Sequence, residues 1–143
     1  MKNIAIIGAG GFGREVKTII DSINKVNPSY KFVGFYDDGF EKGAIVNGYP
    51  VLGGVEEINS LGKACSIVIA VADPKTKATI FSKIKNANVD YPNIIHPNVL
   101  ISDDYVEIGL GNIICAGTII TCNIIIKDFV ILNLMCTVGH DTT

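Results

Sequence analysis

The C-terminal part of the chain carries an aliphatic residue at every sixth position. These positions are Ile108, Ile114, Ile120, Ile126, Leu132 and Val138. A period of six matches neither the turn of an α-helix nor the alternation of a strand, but it is typical of a β-solenoid whose coils stack on one another. The pattern therefore predicts a parallel β-helix of hexapeptide repeats in which these side chains point inward.

Ordinary strands rich in isoleucine are the alternative, since residues 112–126 are β-prone in any context. Hairpins would need turns such as Asn-Gly or Asp-Gly, and few of these interrupt the run. The unbroken spacing favours coils. We expect them to begin near Pro97 and to give two coils of about 18 residues and a partial third by Thr143.

The N-terminal part of the chain has the pattern of a strand, a glycine turn and a helix. Lys2–Ile7 is an aliphatic run, and Arg14–Ile23 carries apolar residues at helical spacing. Between them, Gly8, Gly10 and Gly13 fit the pattern G-x-G-x-x-G, in which glycine permits a tight turn and lets backbone N–H groups approach a phosphate. The pattern predicts a ligand-binding turn, with a tight turn that binds nothing as the alternative.

Two further strands follow. Lys31–Tyr36 ends at Asp37 and Asp38, where a carboxylate can reach a ribose or base, although either residue could equally cap a loop. A third strand, Ser66–Val71, precedes a helix at Lys75–Ile84. The order βαβαβα predicts a small parallel Rossmann-like sheet.

Chain length limits the ligand and the number of domains. A dinucleotide fold needs two βαβ halves, so a mononucleotide or nucleotide-sugar fits better than NAD, and an NAD-dependent oxidoreductase ranks last. We interpret Gly39–Leu61 as an irregular excursion with a short helix at Val55–Leu61, and Tyr91–Pro97 as an extended connector. The expected domains are residues 1–93 and 94–143.

Composition excludes several classes of function. A net charge of −2 and a pI near 5.6 predict no nucleic-acid partner. The apolar stretches are too short for a signal peptide or a membrane span, which predicts a cytoplasmic protein without a membrane partner. The cysteines lack Cys-x-x-Cys spacing, so we expect free thiols and no metal site. They are Cys65, Cys115, Cys122 and Cys136.

Taken together, the motifs resemble those of the bacterial sugar acetyltransferases of the left-handed β-helix superfamily. The resemblance is to the group of sialic-acid O-acetyltransferases and nucleotide-amino-sugar N-acetyltransferases, and it covers essentially the whole chain. The motifs that carry it are Gly-Ala-Gly-Gly-Phe-Gly at residues 8–13, Tyr36-Asp37-Asp38, Ala70-Val71-Ala72-Asp73 and Val138-Gly139-His140-Asp141.

The resemblance implies which residues form the sites. The substrate-binding residues would be Gly8, Ala9, Gly10, Gly11, Phe12, Gly13, Asp37, Asp38, Ala72 and Lys77. The family usually has glycine at the position of Ala72, and often arginine near that of Lys77. His140 would be the general base, and Asp141 would orient its ring.

The resemblance also implies a co-substrate and an assembly. Acetyl-CoA would bind between neighbouring solenoids of a homotrimer. Family members continue for several more coils, so we expect a left-handed β-helix that is incomplete at the C-terminus, with most of the acetyl-CoA site beyond Thr143.

Two functional hypotheses follow. The first is acetyl transfer from acetyl-CoA to an amino or hydroxyl group of a nucleotide-linked sugar or a sialic acid, with weak or absent activity in so short a chain. The second is a non-catalytic sugar-nucleotide-binding module with a vestigial solenoid.

Overall fold

The computed structural model describes residues 1–143. We call residues 1–93 the sheet region and residues 94–143 the coil region. The elements of the sheet region are β1 (Lys2–Ile7), α1 (Gly11–Val26), β2 (Tyr30–Tyr36), β3 (Ile45–Val46), β4 (Tyr49–Gly53), a 3₁₀ helix (Val55–Ser60), β5 (Cys65–Ile69), α2 (Pro74–Lys83) and β6 (Val89–Asp90). Those of the coil region are β7 (Ile94–Ile95), β8 (Leu100–Ile101), β9 (Val106–Ile108), β10 (Ile113–Ile114), β11 (Ile119–Ile120), β12 (Ile124–Ile126), β13 (Ile131–Leu132) and β14 (Thr137–Val138).

The strands of the sheet region form one sheet in the order β3-β4-β2-β1-β5-β6. All pairings are parallel except that of β3 with β4, so the predicted parallel sheet is confirmed. The expectation of an irregular excursion over Gly39–Leu61 is wrong in part, because β3 and β4 form a hairpin there and β4 extends the sheet. The crossover from β2 to β5 thus contains strands and a 3₁₀ helix in place of an α-helix.

Helix α1 forms because its apolar residues recur three and four positions apart. Val16, Ile19 and Ile20 are buried, and Ile23 packs beside them against the core of the sheet region. Helix α2 begins at Pro74, with Asp73 as its N-cap, since the Asp73 carboxylate accepts a hydrogen bond of 2.8 Å from the Thr76 N–H.

The strands of the coil region stack in parallel, in the sheets β7-β10-β13, β8-β11-β14 and β9-β12. The predicted hexad residues pair between successive coils, as in Ile114 with Leu132 and Ile120 with Val138. All six predicted residues share one apolar cluster, which confirms that they point inward. The hairpin alternative is wrong, because every pairing in this region is parallel.

The first coil strand lies a few residues ahead of Pro97, at the start of the expected domain of residues 94–143. Ile95 pairs with Ile114, so β7 already belongs to the first coil, ahead of Pro97. The connector predicted over Tyr91–Pro97 is correspondingly shorter. Ile94 is buried against the core of the sheet region and Ile95 is partly buried in the coil interior, which a short segment flanked by prolines does not reveal.

A second repeat marks the corners of the coils. A residue with positive φ recurs at every sixth position, at Tyr105, Gly111, Gly117, Asn123, Phe129, Met135 and Asp141. A non-glycine residue in this conformation costs roughly 1–2 kcal/mol, so only a regular turn of the backbone explains its recurrence. The corners therefore have the same period as the inward residues.

The faces of the coil region differ in what covers them. Helix α1 packs on the sheet β7-β10-β13, and the outward side chains of Ile94, Ile113 and Cys115 join the core of the sheet region. The sheet β8-β11-β14 leaves Leu100 and Ile119 exposed. One face of the coils thus fixes them to the sheet region, and another presents apolar side chains to solvent.

Candidate functional site

The glycines of the turn between β1 and α1 serve different purposes. A Cβ atom on Gly13 would lie 1.7 Å from the carbonyl oxygen of Gly8, and one on Gly8 would lie 2.8 Å from that of Ala70. A Cβ atom on Gly10, the N-cap of α1, would have no other atom within 4 Å. Gly8 and Gly13 therefore permit close packing, whereas Gly10 leaves open space at the N-terminus of α1, where backbone N–H groups favour an anion.

Both aspartates that follow β2 bind backbone groups. Asp37 accepts hydrogen bonds of 2.8 Å from the N–H groups of Ala9 and Gly39, which ties the end of β2 to the glycine turn. Asp38 Oδ1 accepts from the Val55 N–H at 2.9 Å and so holds the start of the 3₁₀ helix. The loop-capping role that the sequence left open is present in both, while Asp38 Oδ2 makes no hydrogen bond within the chain. Contact with a ribose or base stays a prediction.

A cavity of about 250 Å³ lies beside these aspartates. Its lining comes from the ends of β1 and β2, from the 3₁₀ helix and from α2. This is the carboxyl edge of a parallel sheet, where open α/β folds bind ligands. Sequence reasoning missed Thr76, Thr79 and Lys83 of α2, although their spacing of three and four residues marks one helical face.

The other predicted substrate-binding residues lie in varied places. Phe12 packs against the core of the sheet region, while Gly11 is exposed in the first turn of α1 and Ala72 is exposed on the loop after β5. Lys77 does not line the cavity, because its Nζ donates a hydrogen bond to the Phe129 carbonyl in the coil region. The structure thus brings Gly8, Asp37 and Asp38 together and directs Lys77 elsewhere.

His140 and Asp141 follow β14 and form a pair. His140 Nδ1 lies 2.9 Å from Asp141 Oδ2, and Asp141 occupies a corner with φ of 62°. The Asp141 N–H donates to the Cys122 carbonyl of the preceding coil, which fixes the backbone of the pair. If Nδ1 carries the proton, Nε2 is free to accept one, as a general base requires. The imidazole is 80% exposed.

The structure does not place His140 and the glycine turn in one cavity. A separate cavity of about 370 Å³ lies beside Asp141, at the corner formed by Tyr105 and Asn123. No group of three or more His, Cys, Asp or Glu side chains is arranged to hold a metal ion. No helix is both long and apolar enough to span a bilayer.

The glycine turn, the parallel sheet and the stacked coils define a class of proteins that join an α/β domain to a β-helix. Comparison with known families makes the class specific. The chain belongs to the family described as the PglD N-terminal domain, whose model matches residues 3–84. The predicted resemblance to bacterial sugar acetyltransferases is thereby confirmed.

Similar proteins are longer than this chain. The GDP-perosamine N-acetyltransferase of Escherichia coli O157:H7 is 30% identical over 145 residues, which cover 99% of the chain and 63% of that protein. The acetyltransferase domain of PglB from Neisseria gonorrhoeae FA1090, solved with acetyl coenzyme A, gives a TM-score of 0.83 at 30% identity, covering 98% of this chain and 65% of that one. PerB from Caulobacter crescentus gives 0.81 at 24% identity over 99% and 64%, which shows the shared fold. The chain thus spans less than two thirds of the length of each.

Proposed function

We propose that the chain belongs to an enzyme that transfers an acetyl group from acetyl-CoA to an amino group of a nucleotide-linked sugar. The pair formed by His140 and Asp141 carries the proposal, because it supplies an oriented general base next to the last coil. The named activity of the Escherichia coli relative supports an amine acceptor, and the acetyl coenzyme A bound to PglB supports the acetyl donor.

In the proposed reaction the sugar amine attacks the thioester carbonyl carbon of acetyl-CoA. A C–N bond forms and the C–S bond breaks, so the amine must lose a proton and the departing thiolate must gain one. His140 Nε2 takes the first proton and returns it to the sulfur. Asp141 accepts from Nδ1 and stabilises the imidazolium that forms in between. Such a base contributes on the order of 10²–10⁴-fold to the rate.

The nucleotide would bind in the sheet region. The open backbone at Gly10 and the N-terminus of α1 suit the phosphates. The free oxygen of Asp38 can accept hydrogen bonds from a ribose or base. The hydroxyl oxygens of Thr76 and Thr79 can do the same, since their hydrogens are donated to Asp73 and to the Lys75 carbonyl.

For the coil region we propose left-handed winding and assembly into a trimer. The exposed side chains of Leu100 and Ile119 form an apolar strip on the sheet β8-β11-β14, and association of copies would remove it from water. Light scattering should give a mass of three chains, and Ile119→Lys should reduce it to one. A single-chain mass for the unchanged protein would contradict this assembly.

The decisive experiment combines binding with turnover. The chain is titrated calorimetrically with UDP-, GDP- and CMP-sugars and then with acetyl-CoA, and thiol release is followed for amino-sugar and hydroxyl-sugar acceptors. We expect His140→Asn to lower turnover by about 10²-fold or more and to leave the nucleotide-sugar Kd unchanged.

His96→Asn is the matched control, because His96 also lies in the coil region but accepts a backbone hydrogen bond from Asn98. It should keep full turnover. Unchanged turnover in His140→Asn would refute the assigned base. If the chain binds both nucleotide-sugar and acetyl-CoA, the absence of any transfer would favour the non-catalytic binding module instead.

A further inference from the structure

Helix α2 presents two different faces to two different parts of the molecule. Thr76, Thr79 and Lys83 line the cavity beside the glycine turn. Lys77 and Phe81 lie on another face and line a cavity of about 540 Å³ together with residues of the coil region. A single helix therefore borders the proposed nucleotide pocket and also meets the coils.

The contact with the coils is both polar and aromatic. Lys77 Nζ donates to the Phe129 carbonyl oxygen at 2.5 Å across 52 residues of sequence. The rings of Phe81, Tyr91 and Phe129 pack on one another with centroids 5.1–5.3 Å apart. Since these rings come from α2, from the connector and from a coil corner, the cluster joins the two regions.

The coil side of this contact is held firmly. Phe129 is a corner residue with φ of 56°, and its N–H donates to the Leu110 carbonyl at 2.9 Å. Gly111, one coil earlier, leaves room for the ring, because a Cβ atom there would collide with it. The next residue, Val130, donates its N–H to Asn112 Oδ1 at 2.7 Å. The Phe129 carbonyl oxygen, which accepts the hydrogen bond from Lys77, is thus held in place by the coils.

We propose that Lys77 is a positioning residue that fixes α2, and with it the nucleotide pocket, against the coil corner at Phe129. The proposal rests on the proposed function, in which a sugar bound to the sheet region must meet a base carried by the coil region. Burial lowers the pKa of Lys77, which agrees with an ammonium group held at an interface rather than in open solvent.

The consequence for catalysis differs from that of a phosphate ligand. A phosphate-binding lysine would contribute to nucleotide affinity, whereas a positioning lysine contributes to the alignment of reacting groups. A substitution far from the chemistry that misplaces the reacting groups by 1 Å can lower a rate by about 10²-fold.

The test compares Lys77→Met, which keeps the aliphatic stem, with Lys77→Arg, which keeps a donor. Lys75→Met is the matched control, because Lys75 is exposed on the same helix and its side chain makes no hydrogen bond. We expect Lys77→Met to speed amide exchange at Phe129 and Val130 by about tenfold, with the arginine variant close to the unchanged protein.

Binding and kinetics give the second readout. Lys77→Met should leave the nucleotide-sugar Kd within about twofold and lower kcat by about tenfold at unchanged KM. Bound nucleotide-sugar should slow exchange at Phe129 in the unchanged protein and in Lys77→Arg, but not in Lys77→Met. This last comparison needs no turnover.

Several results would overturn the proposal. A tenfold or greater loss of nucleotide affinity in Lys77→Met would make Lys77 a ligand of the nucleotide. Unchanged exchange at Phe129, or equal slowing by nucleotide-sugar in all variants, would show that Lys77 positions nothing. Failure of the unchanged chain to bind any nucleotide-sugar would instead count against the proposed function, and exchange without ligand would still show whether Lys77 holds the corner.

Discussion

The sheet region and the coil region of this chain are stabilised by different kinds of contact. In the sheet region, strands such as β5 are buried along their whole length between helices, so each residue depends on distant neighbours. In the coil region, strands of two or three residues recur, and each contacts its equivalent in the adjacent coils. A destabilising substitution in the sheet region should therefore disturb many elements at once. In the coil region such a substitution should disturb mainly the neighbouring coils.

Backbone strain is distributed differently as well. The sheet region uses glycine for positive φ at crowded positions such as Gly8 and Gly34, with Asn47 in the β3–β4 hairpin as its one non-glycine residue of this kind. The coil region places Tyr105, Phe129 and Met135 in that conformation. Stacking of equivalent corners supplies the contacts that offset this cost, so the repeat tolerates side chains that an isolated turn would reject.

The largest effect is expected where the sheet region is most crowded. Gly13→Ala would place a methyl group 1.7 Å from the Gly8 carbonyl oxygen, so α1 must move away from β1. We expect a loss of about 4 kcal/mol or more in the free energy of unfolding, measured with urea. Gly10→Ala is the control, since that position is open, and it should retain the fold while weakening nucleotide-sugar binding. Equal stability of both variants would contradict the packing role of Gly13.

In the coil region a smaller effect is expected from a cavity in its core. Ile114→Ala removes a fully buried side chain and should cost about 3 kcal/mol. Ile125→Ala makes the same chemical change on an outward position that is 44% exposed and lies outside the strip of Leu100 and Ile119, and it should cost well under half as much. Comparable losses in urea unfolding would contradict the inward and outward assignment of the hexads.

A modest gain is expected at a strained corner. Met135 has φ of 59° and is largely exposed, and asparagine tolerates this conformation, as Asn123 does one 12-residue step earlier. We expect Met135→Asn to raise the free energy of unfolding by about 0.5–1 kcal/mol. Leu134→Asn, at the neighbouring exposed position with ordinary φ, should bring no gain. A loss in Met135→Asn would indicate that its contact with Gly117 outweighs the backbone strain.

The same contrast explains what the sequence could predict. The hexads and the glycine turn are local patterns, and they predicted β1, the inward residues and the parallel coils. The β3–β4 hairpin was missed because Tyr49–Gly53 contains proline and glycine, and its place in the sheet depends on pairing with β2. Its turn at Asn47 and Gly48 was a readable hairpin signal.

Contacts between the regions could not be predicted from either pattern. Ile114 points into the coils, whereas its neighbour Ile113 points outward and is buried only because α1 covers the sheet β7-β10-β13. Lys77 likewise was expected at the nucleotide from the family resemblance, yet its side chain extends from the other face of α2 to Phe129. Relative orientation of two regions is a long-range property, and no repeat in this chain encodes it.

The mildest test of the comparison needs no substitution in the chain. Cys65 lies in the core of the sheet region, and Cys115 lies between α1 and the coils, where burial and the nearby Glu15 raise its pKa to about 11. Cys122 and Cys136 are only half-buried on the coils. Because the thiolate is the reactive form, iodoacetamide at pH 8 should modify this second pair at least about tenfold faster, as followed by peptide mass spectrometry. Modification of Cys115 at the rate of Cys122, with Cys65 still protected, would mean that α1 separates from the coils in solution while the sheet stays folded. The contact of α1 with the sheet β7-β10-β13 would then not hold the coil region to the sheet region.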